Sequence, residues 1–170
     1  TSKIISVFTP RWKFWKAAPS HVAFIIRNEE EAQVHESTTL SKRKDLIDGT
    51  KREGVQAHPF REWVESYRGR VYLYRLKVGV PCEKDLINYV MDVHERKIGY
   101  DLDQAIHSAS PVINSENGKK LFCSEYWAFA LKKGGTVGTH INASEVTPFD
   151  VITKFKCFCK RKRITMENEE

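Results

Sequence analysis

The sequence predicts an α+β fold with a central antiparallel sheet, and three observations support this prediction. The chain has 170 residues, a length typical of one domain. Hydrophobic residues make up 41% of it and charged residues 29%, a composition that can bury a core and argues against wholesale disorder. Short apolar runs rich in β-formers alternate with segments whose apolar residues recur every three or four positions. No apolar run approaches the roughly 20 residues that a membrane-spanning helix needs.

Two strands joined by a hairpin are predicted in the first quarter of the chain. Residues 21–27 contain the short apolar run Val-Ala-Phe-Ile-Ile, which favours a strand. Residues 32–38 can form its antiparallel partner, because the polar residues 28–31 between them have the length and composition of a hairpin loop. After a polar loop, residues 54–57 predict a short third strand.

Helices and one further strand are predicted in the rest of the chain. Phe60, Trp63 and Val64 recur at spacings of three and four residues, which indicates a helix, and two lysines followed by Gly134 indicate the end of another. The predicted elements are a helix over 59–67, a strand over 71–78, a helix over 83–97, a loop over 99–120 and a helix over 121–133.

The net charge is +6, from 28 basic and 22 acidic side chains, and the basic excess lies near the two ends of the chain. Residues 1–16 and 154–163 carry basic side chains and no acidic ones. Such clusters can contact an anionic membrane surface, nucleic acid or an acidic partner, although a solvated surface is the simpler interpretation. We expect a single domain over residues 1–153 and a tail over 154–170 that is first basic and then acidic.

The four cysteines indicate reduced thiols instead of a disulfide framework, because four are few for a chain of this length. Cys157 and Cys159 lack the spacing of a zinc knuckle, and no second ligand pair accompanies them. We therefore expect no metal and no cofactor. The sequence leaves the cellular location open, with a slight preference for the cytoplasm, since no signal peptide or disulfide pattern is visible in a chain that begins at Thr1.

Cys123 is the first candidate for chemistry, because it lies in the first turn of a predicted buried helix. Free backbone N–H groups and the helix dipole at that position favour thiolate over thiol. The same N–H groups can receive an oxyanion. The alternative is that Cys123 only fills space in the core, as buried cysteines often do.

His21 is the candidate base, and Glu36 is its predicted partner. A hairpin centred near residue 28 or 29 places His21 opposite Glu36 or Ser37. A carboxylate beside an imidazole fixes the tautomer of the ring and stabilises the imidazolium that forms when the ring takes a proton from a thiol. The alternative is a surface pair, and a slip of one residue would turn Glu36 to the other face of the sheet.

The other histidines are predicted to be solvent-exposed. His35 is adjacent to Glu36 in the predicted strand and should therefore project from the opposite face. The remaining four lie near predicted loops or helix ends without the spacing of metal ligands: His58, His94, His107 and His140.

Six short motifs, in this order, give the chain a resemblance to a known family. They are His21-Val22-Ala23-Phe24, Val34-His35-Glu36-Ser37-Thr38, Gly54-Val55, Val71-Tyr72-Leu73-Tyr74, Phe122-Cys123-Ser124-Glu125 and Thr147-Pro148-Phe149-Asp150. Their order and spacing resemble those of the circularly permuted papain-like thiol hydrolases. These form the YiiX-like branch of the NlpC superfamily, to which certain poxviral proteins and lecithin:retinol acyltransferase are related. The resemblance covers roughly residues 18–153.

The resemblance implies a papain-like fold in which the nucleophile-bearing helix packs against the central antiparallel sheet. It also implies that Cys123 is the nucleophile, that His21 is the general base and that Glu36 orients the ring. Tyr100 resembles a tyrosine that borders the cleft, and Ser124 is predicted as a hydrogen-bonding residue at the helix start that supports the cleft or the oxyanion. One departure concerns the segment before the histidine strand, where many members have Gly-Asp and this chain has Phe-Trp-Lys-Ala-Ala-Pro over residues 14–19.

Three functions remain open from the sequence. The first is a thiol hydrolase that cleaves an amide bond in a peptide, a peptidoglycan-type peptide or an N-acyl compound. The second is a lipid-directed acyl hydrolase or acyltransferase, which the basic and aromatic residues 11–16 would suit. The third is a non-catalytic binding module whose basic ends contact a membrane or, less favoured, nucleic acid. The oligomeric state is left open.

Overall fold

The computed structural model describes residues 5–10, 19–27, 31–39, 43–67, 69–77, 79–107, 119–155, 157–159 and 162–164. The predicted α+β class is confirmed, because helices and an antiparallel sheet form one architecture. The elements in these ranges are strands β1 (Ile5–Pro10), β2 (Pro19–Arg27), β3 (Ala32–Thr38) and β4 (Gly54–Pro59), helix α1 (Phe60–Ser66), strand β5 (Val71–Arg75), helices α2 (Glu83–Glu95), α3 (Leu102–His107) and α4 (Cys123–Lys133), a 3-10 turn (Ala143–Glu145), helix α5 (Pro148–Thr153) and strand β6 (Lys162–Ile164).

The six strands form one antiparallel sheet in the order β4-β3-β2-β1-β5-β6. Side chains alternate between its two faces, so Val22 and Phe24 enter the larger core while Ala23 and Ile25 enter the smaller one. Helix α4 packs against β2 and β3 on the side of the larger core, and α1 contacts β3 and β4 on the side of the smaller core. Helices therefore pack on both faces of the sheet.

Several elements differ from the sequence-based prediction. Strand β1 lies between β2 and β5 and was not predicted, and helix α3 lies within the segment expected to be a loop. Helix α2 ends at Glu95 and not at Lys97, since Lys97 adopts a left-handed φ of 53° that a helix cannot continue. None of the helices within the described ranges is both long enough and apolar enough to cross a membrane.

The segment after residue 153, expected to be a tail, contributes packing where the structure describes it. Phe158 is buried in the larger core, and its ring lies tilted against that of Trp127 with the centroids 5.4 Å apart. Strand β6 pairs with β5 at the edge of the sheet. Burial of the apolar Phe158 side chain and pairing of the β6 backbone with β5 both stabilise the folded chain. These residues therefore belong to the domain, and the predicted boundary at 153 does not mark its end.

A loop over residues 43–53 covers polar side chains that the sequence had suggested were exposed. His35, His58 and His94 are all buried, so the prediction that they are solvated was wrong. The carboxylate of Asp45 holds this loop in place: it accepts a hydrogen bond from the Ala57 backbone N–H at 2.8 Å and lies 2.7 Å from Nε2 of His94. Burial, with the nearby charge of His94, lowers the pKa of His35 to about 3, so this ring stays neutral at neutral pH.

Candidate active site

His21 and Glu36 meet through a short side-chain hydrogen bond between β2 and β3. Nε2 of His21 lies 2.7 Å from Oε2 of Glu36. The predicted register was wrong in detail, because Phe24 pairs with His35, and this register continued by one residue would place Ala23 opposite Glu36. His21 and Glu36 are therefore diagonal neighbours, a separation that long side chains can bridge.

Cys123 is brought to the same place by the segment that leads into α4. The Ser37 hydroxyl, next to Glu36 on β3, donates a hydrogen bond to the Leu121 carbonyl at 2.5 Å. The Leu121 N–H bonds the Gly99 carbonyl at 2.9 Å, and Phe122 keeps an extended backbone before the helix begins at Cys123. In this position Cys123 lies close enough to His21 to raise the pKa of the ring. The three predicted residues thus form one contiguous group.

The His21 ring connects the sulfur to the carboxylate. Since Nε2 is engaged by Glu36, Nδ1 is the nitrogen left to face Cys123. Burial acts to lower the pKa of His21, but the hydrogen bonds and charges of Cys123 and Glu36 outweigh burial and raise it well above its usual value. Burial acts to raise the pKa of Glu36, but its hydrogen bonds with His21 and Trp63 lower it. The arrangement therefore favours a charged imidazolium beside a charged carboxylate.

The start of α4 supplies backbone donors beside the sulfur. The N–H groups of Cys123, Ser124 and Glu125 have no carbonyl one turn earlier within the helix, whereas that of Tyr126 bonds the Phe122 carbonyl at 2.9 Å. Such groups can stabilise negative charge that develops next to Cys123. The side chain of Ser124 has another use: it is fully buried and donates to the Val146 carbonyl at 2.5 Å, which fixes the helix start to the chain before α5.

Tyr100 lies close enough to Cys123 for the two groups to interact electrostatically. Burial, followed by the neighbouring charges of Cys123 and Asp101, raises the pKa of its phenol, so the hydroxyl stays neutral. Gly54, at the start of β4, allows the residues that precede Tyr100 to approach the sheet closely. It has a φ of 105°, and a Cβ at this position would lie 2.2 Å from the Ile98 carbonyl oxygen. Sequence order alone did not indicate this contact.

Three residues around Glu36 are not indicated by the sequence. The indole N–H of Trp63 donates to Oε1 of Glu36 at 3.0 Å, and Nε2 of His58 lies 3.8 Å from the same oxygen. Arg43 donates to the Trp63 carbonyl at 3.2 Å. The spacing of Trp63 in α1 had indicated only a core position, and nothing local in the sequence identifies a contact with a residue 27 positions away.

Among the residues that the structure describes, no group of three or more His, Cys, Asp and Glu side chains could hold a metal ion. The segment 11–18, which contains Trp12 and Trp15, lies outside the described residues.

Comparison with protein-family models, curated proteins and solved structures finds no match to this chain.

Proposed function

We propose that the protein is a thiol hydrolase with a permuted papain-like fold, which cleaves an amide bond through a thioester on Cys123. The observation that carries the proposal is the His21 ring, which is hydrogen-bonded to Glu36 and lies close enough to Cys123 for the sulfur to raise its pKa. A thiol, an imidazole and an orienting carboxylate are the three groups that nucleophilic catalysis by cysteine uses. The order His, Glu, Cys along the chain agrees with the permuted family that the motifs resemble.

The proposed reaction begins with transfer of the Cys123 proton to His21. The thiolate attacks the amide carbonyl carbon, and the first-turn N–H groups of α4 hold the oxyanion that forms. The tetrahedral intermediate collapses with cleavage of the C–N bond, and the His21 imidazolium gives its proton to the departing amine. Water then attacks the thioester while His21 accepts its proton, which releases the acid and returns the thiol. The substrate class is a peptide, a peptidoglycan-type peptide or an N-acyl compound.

Selective labelling of Cys123 by iodoacetamide at about pH 6, located by mass spectrometry, tests this proposal. We expect Cys123 to react faster than Cys82 and Cys159, although it is buried and they are exposed. The reason is that iodoacetamide attacks the thiolate form of cysteine, and a neighbouring imidazolium favours that form. Faster labelling of Cys82 and Cys159, with Cys123 reacting only after unfolding, would contradict the proposal.

A further inference from the structure

Both oxygens of the Glu36 carboxylate are engaged, but by different donors. Oε2 lies 2.7 Å from His21, and Oε1 accepts the indole N–H of Trp63 at 3.0 Å. Glu36 and Trp63 are both buried, with 5% and 3% of their surfaces exposed. Because water has little access to this carboxylate, the Trp63 N–H takes the place of a solvent molecule in stabilising its charge.

Trp63 is itself held from two sides. Its ring stacks on that of Tyr67, with the centroids 5.0 Å apart and 24° between the planes. Its carbonyl accepts a hydrogen bond from Arg43, which belongs to the loop that Asp45 fixes. Burial and the stacking on Tyr67 therefore restrict rotation of the indole, while the Arg43 bond holds the backbone at Trp63.

His58 offers Glu36 a competing partner. Its Nε2 lies 3.8 Å from Oε1, too far for a hydrogen bond but close enough for the carboxylate to reach after a small rotation. Burial lowers the pKa of His58, so this ring is a poor source of positive charge. Without the Trp63 N–H, Glu36 would be free to turn toward His58 or to take up a proton, and either change weakens its bond to His21.

We infer that Trp63 is a positioning residue, which acts through Glu36 to keep its carboxylate charged and directed at His21. The inference rests on the proposed function, because it assigns Trp63 a part in activating Cys123. Trp63 is not a catalytic residue in this account, since it contacts the carboxylate and not the reacting atoms.

Replacing Trp63 by phenylalanine tests the inference, because the change removes the N–H and keeps an aromatic ring. The measurement is the rate of Cys123 labelling as a function of pH. We expect the midpoint of labelling to rise by about one pH unit and the rate at about pH 6 to fall roughly tenfold, the loss expected for one charge-assisted hydrogen bond. In a Glu36→Gln background the same substitution should change the rate less than about twofold, because the two residues act in series.

A matched control lies one residue further along α1. Val64→Ala removes buried packing from the same helix without touching Glu36, so it should lower stability and leave the labelling midpoint unchanged. If Trp63→Phe does not fold, the NMR signal of the Trp63 indole proton in the Glu36→Gln variant provides the test. That proton should move upfield when its charged acceptor becomes a neutral amide.

An unchanged midpoint in Trp63→Phe, or an unchanged indole proton in Glu36→Gln, would overturn the inference while Cys123 of the parent remains reactive. Failure of the parent Cys123 to react at about pH 6 would instead contradict the proposed function itself. The two failures are therefore distinguishable.

Discussion

Replacing His21 by alanine is expected to slow the labelling of Cys123 at about pH 6 by at least roughly a hundredfold, the lower end of the contribution that a positioned acid or base makes. The change removes the ring that the proposal assigns as the base, and the buried Cys123 side chain then has no imidazole from residue 21 beside it. The measurement is the second-order rate constant for iodoacetamide, determined at Cys123 by mass spectrometry.

Two controls separate loss of the base from loss of the fold. His21→Gln keeps a donor for Glu36 but removes the titrating ring, so it should fold normally and be nearly as slow as His21→Ala. His140→Ala changes an exposed histidine outside the site and should react like the parent. Labelling of Cys123 in a folded His21→Gln variant at the parental rate would show that the imidazole does not activate the sulfur.

Replacing Asp45 by alanine is expected to lower the free energy of unfolding by about 3 to 5 kcal/mol, the cost of removing one partner from a buried charged network. The side chain of Asp45 is fully buried, and its oxygens bond the Ala57 N–H and His94. Arg52 also lies within 3.4 Å of Oδ2. The variant leaves the Ala57 N–H and His94 without this acceptor in the interior, whereas Arg52 keeps its pair with Asp48. Denaturant unfolding monitored by circular dichroism measures the effect.

Asp92→Ala is the matched control for Asp45→Ala. Asp92 also pairs with a cation, lying 3.0 Å from Arg96, but both side chains are 56% exposed. An exposed pair of this kind contributes no more than about 1 kcal/mol, so the control should be almost as stable as the parent. If Asp45→Ala costs no more than Asp92→Ala, the Asp45 network does not hold the loop over residues 43–53.

The parts of the fold that follow from local pattern could be predicted from sequence. The strand over residues 32–38 was predicted with the bounds of β3, because alternation and a polar hairpin loop define it within a few residues. The start of α4 near Cys123 was predicted because an apolar run begins there and ends at two lysines and a glycine. The proximity of His21 and Glu36 was predicted from the polar hairpin loop between their strands, although with the wrong register.

What depends on distant contacts could not be predicted in this way. The burial of His94 follows from its bond to Asp45, 49 positions earlier, and no short-range pattern marks either residue. Strand β1 is read as a strand only once β2 and β5 are seen to flank it. The same holds for Trp63, whose helical spacing indicates burial but not the partner of its N–H.

The most direct test of the central claim, that His21 shares its proton with Cys123 while Glu36 holds the ring, is an NMR titration of the His21 ring nitrogens. The neighbouring Cys123 and Glu36 raise the pKa of His21 despite its burial, so the parent should titrate well above the usual histidine value near 6.5. In Cys123→Ala the pKa of His21 should fall, because the sulfur's contribution is gone while burial remains. A His21 ring that titrates below the usual value, and identically in the parent and in Cys123→Ala, would contradict the account.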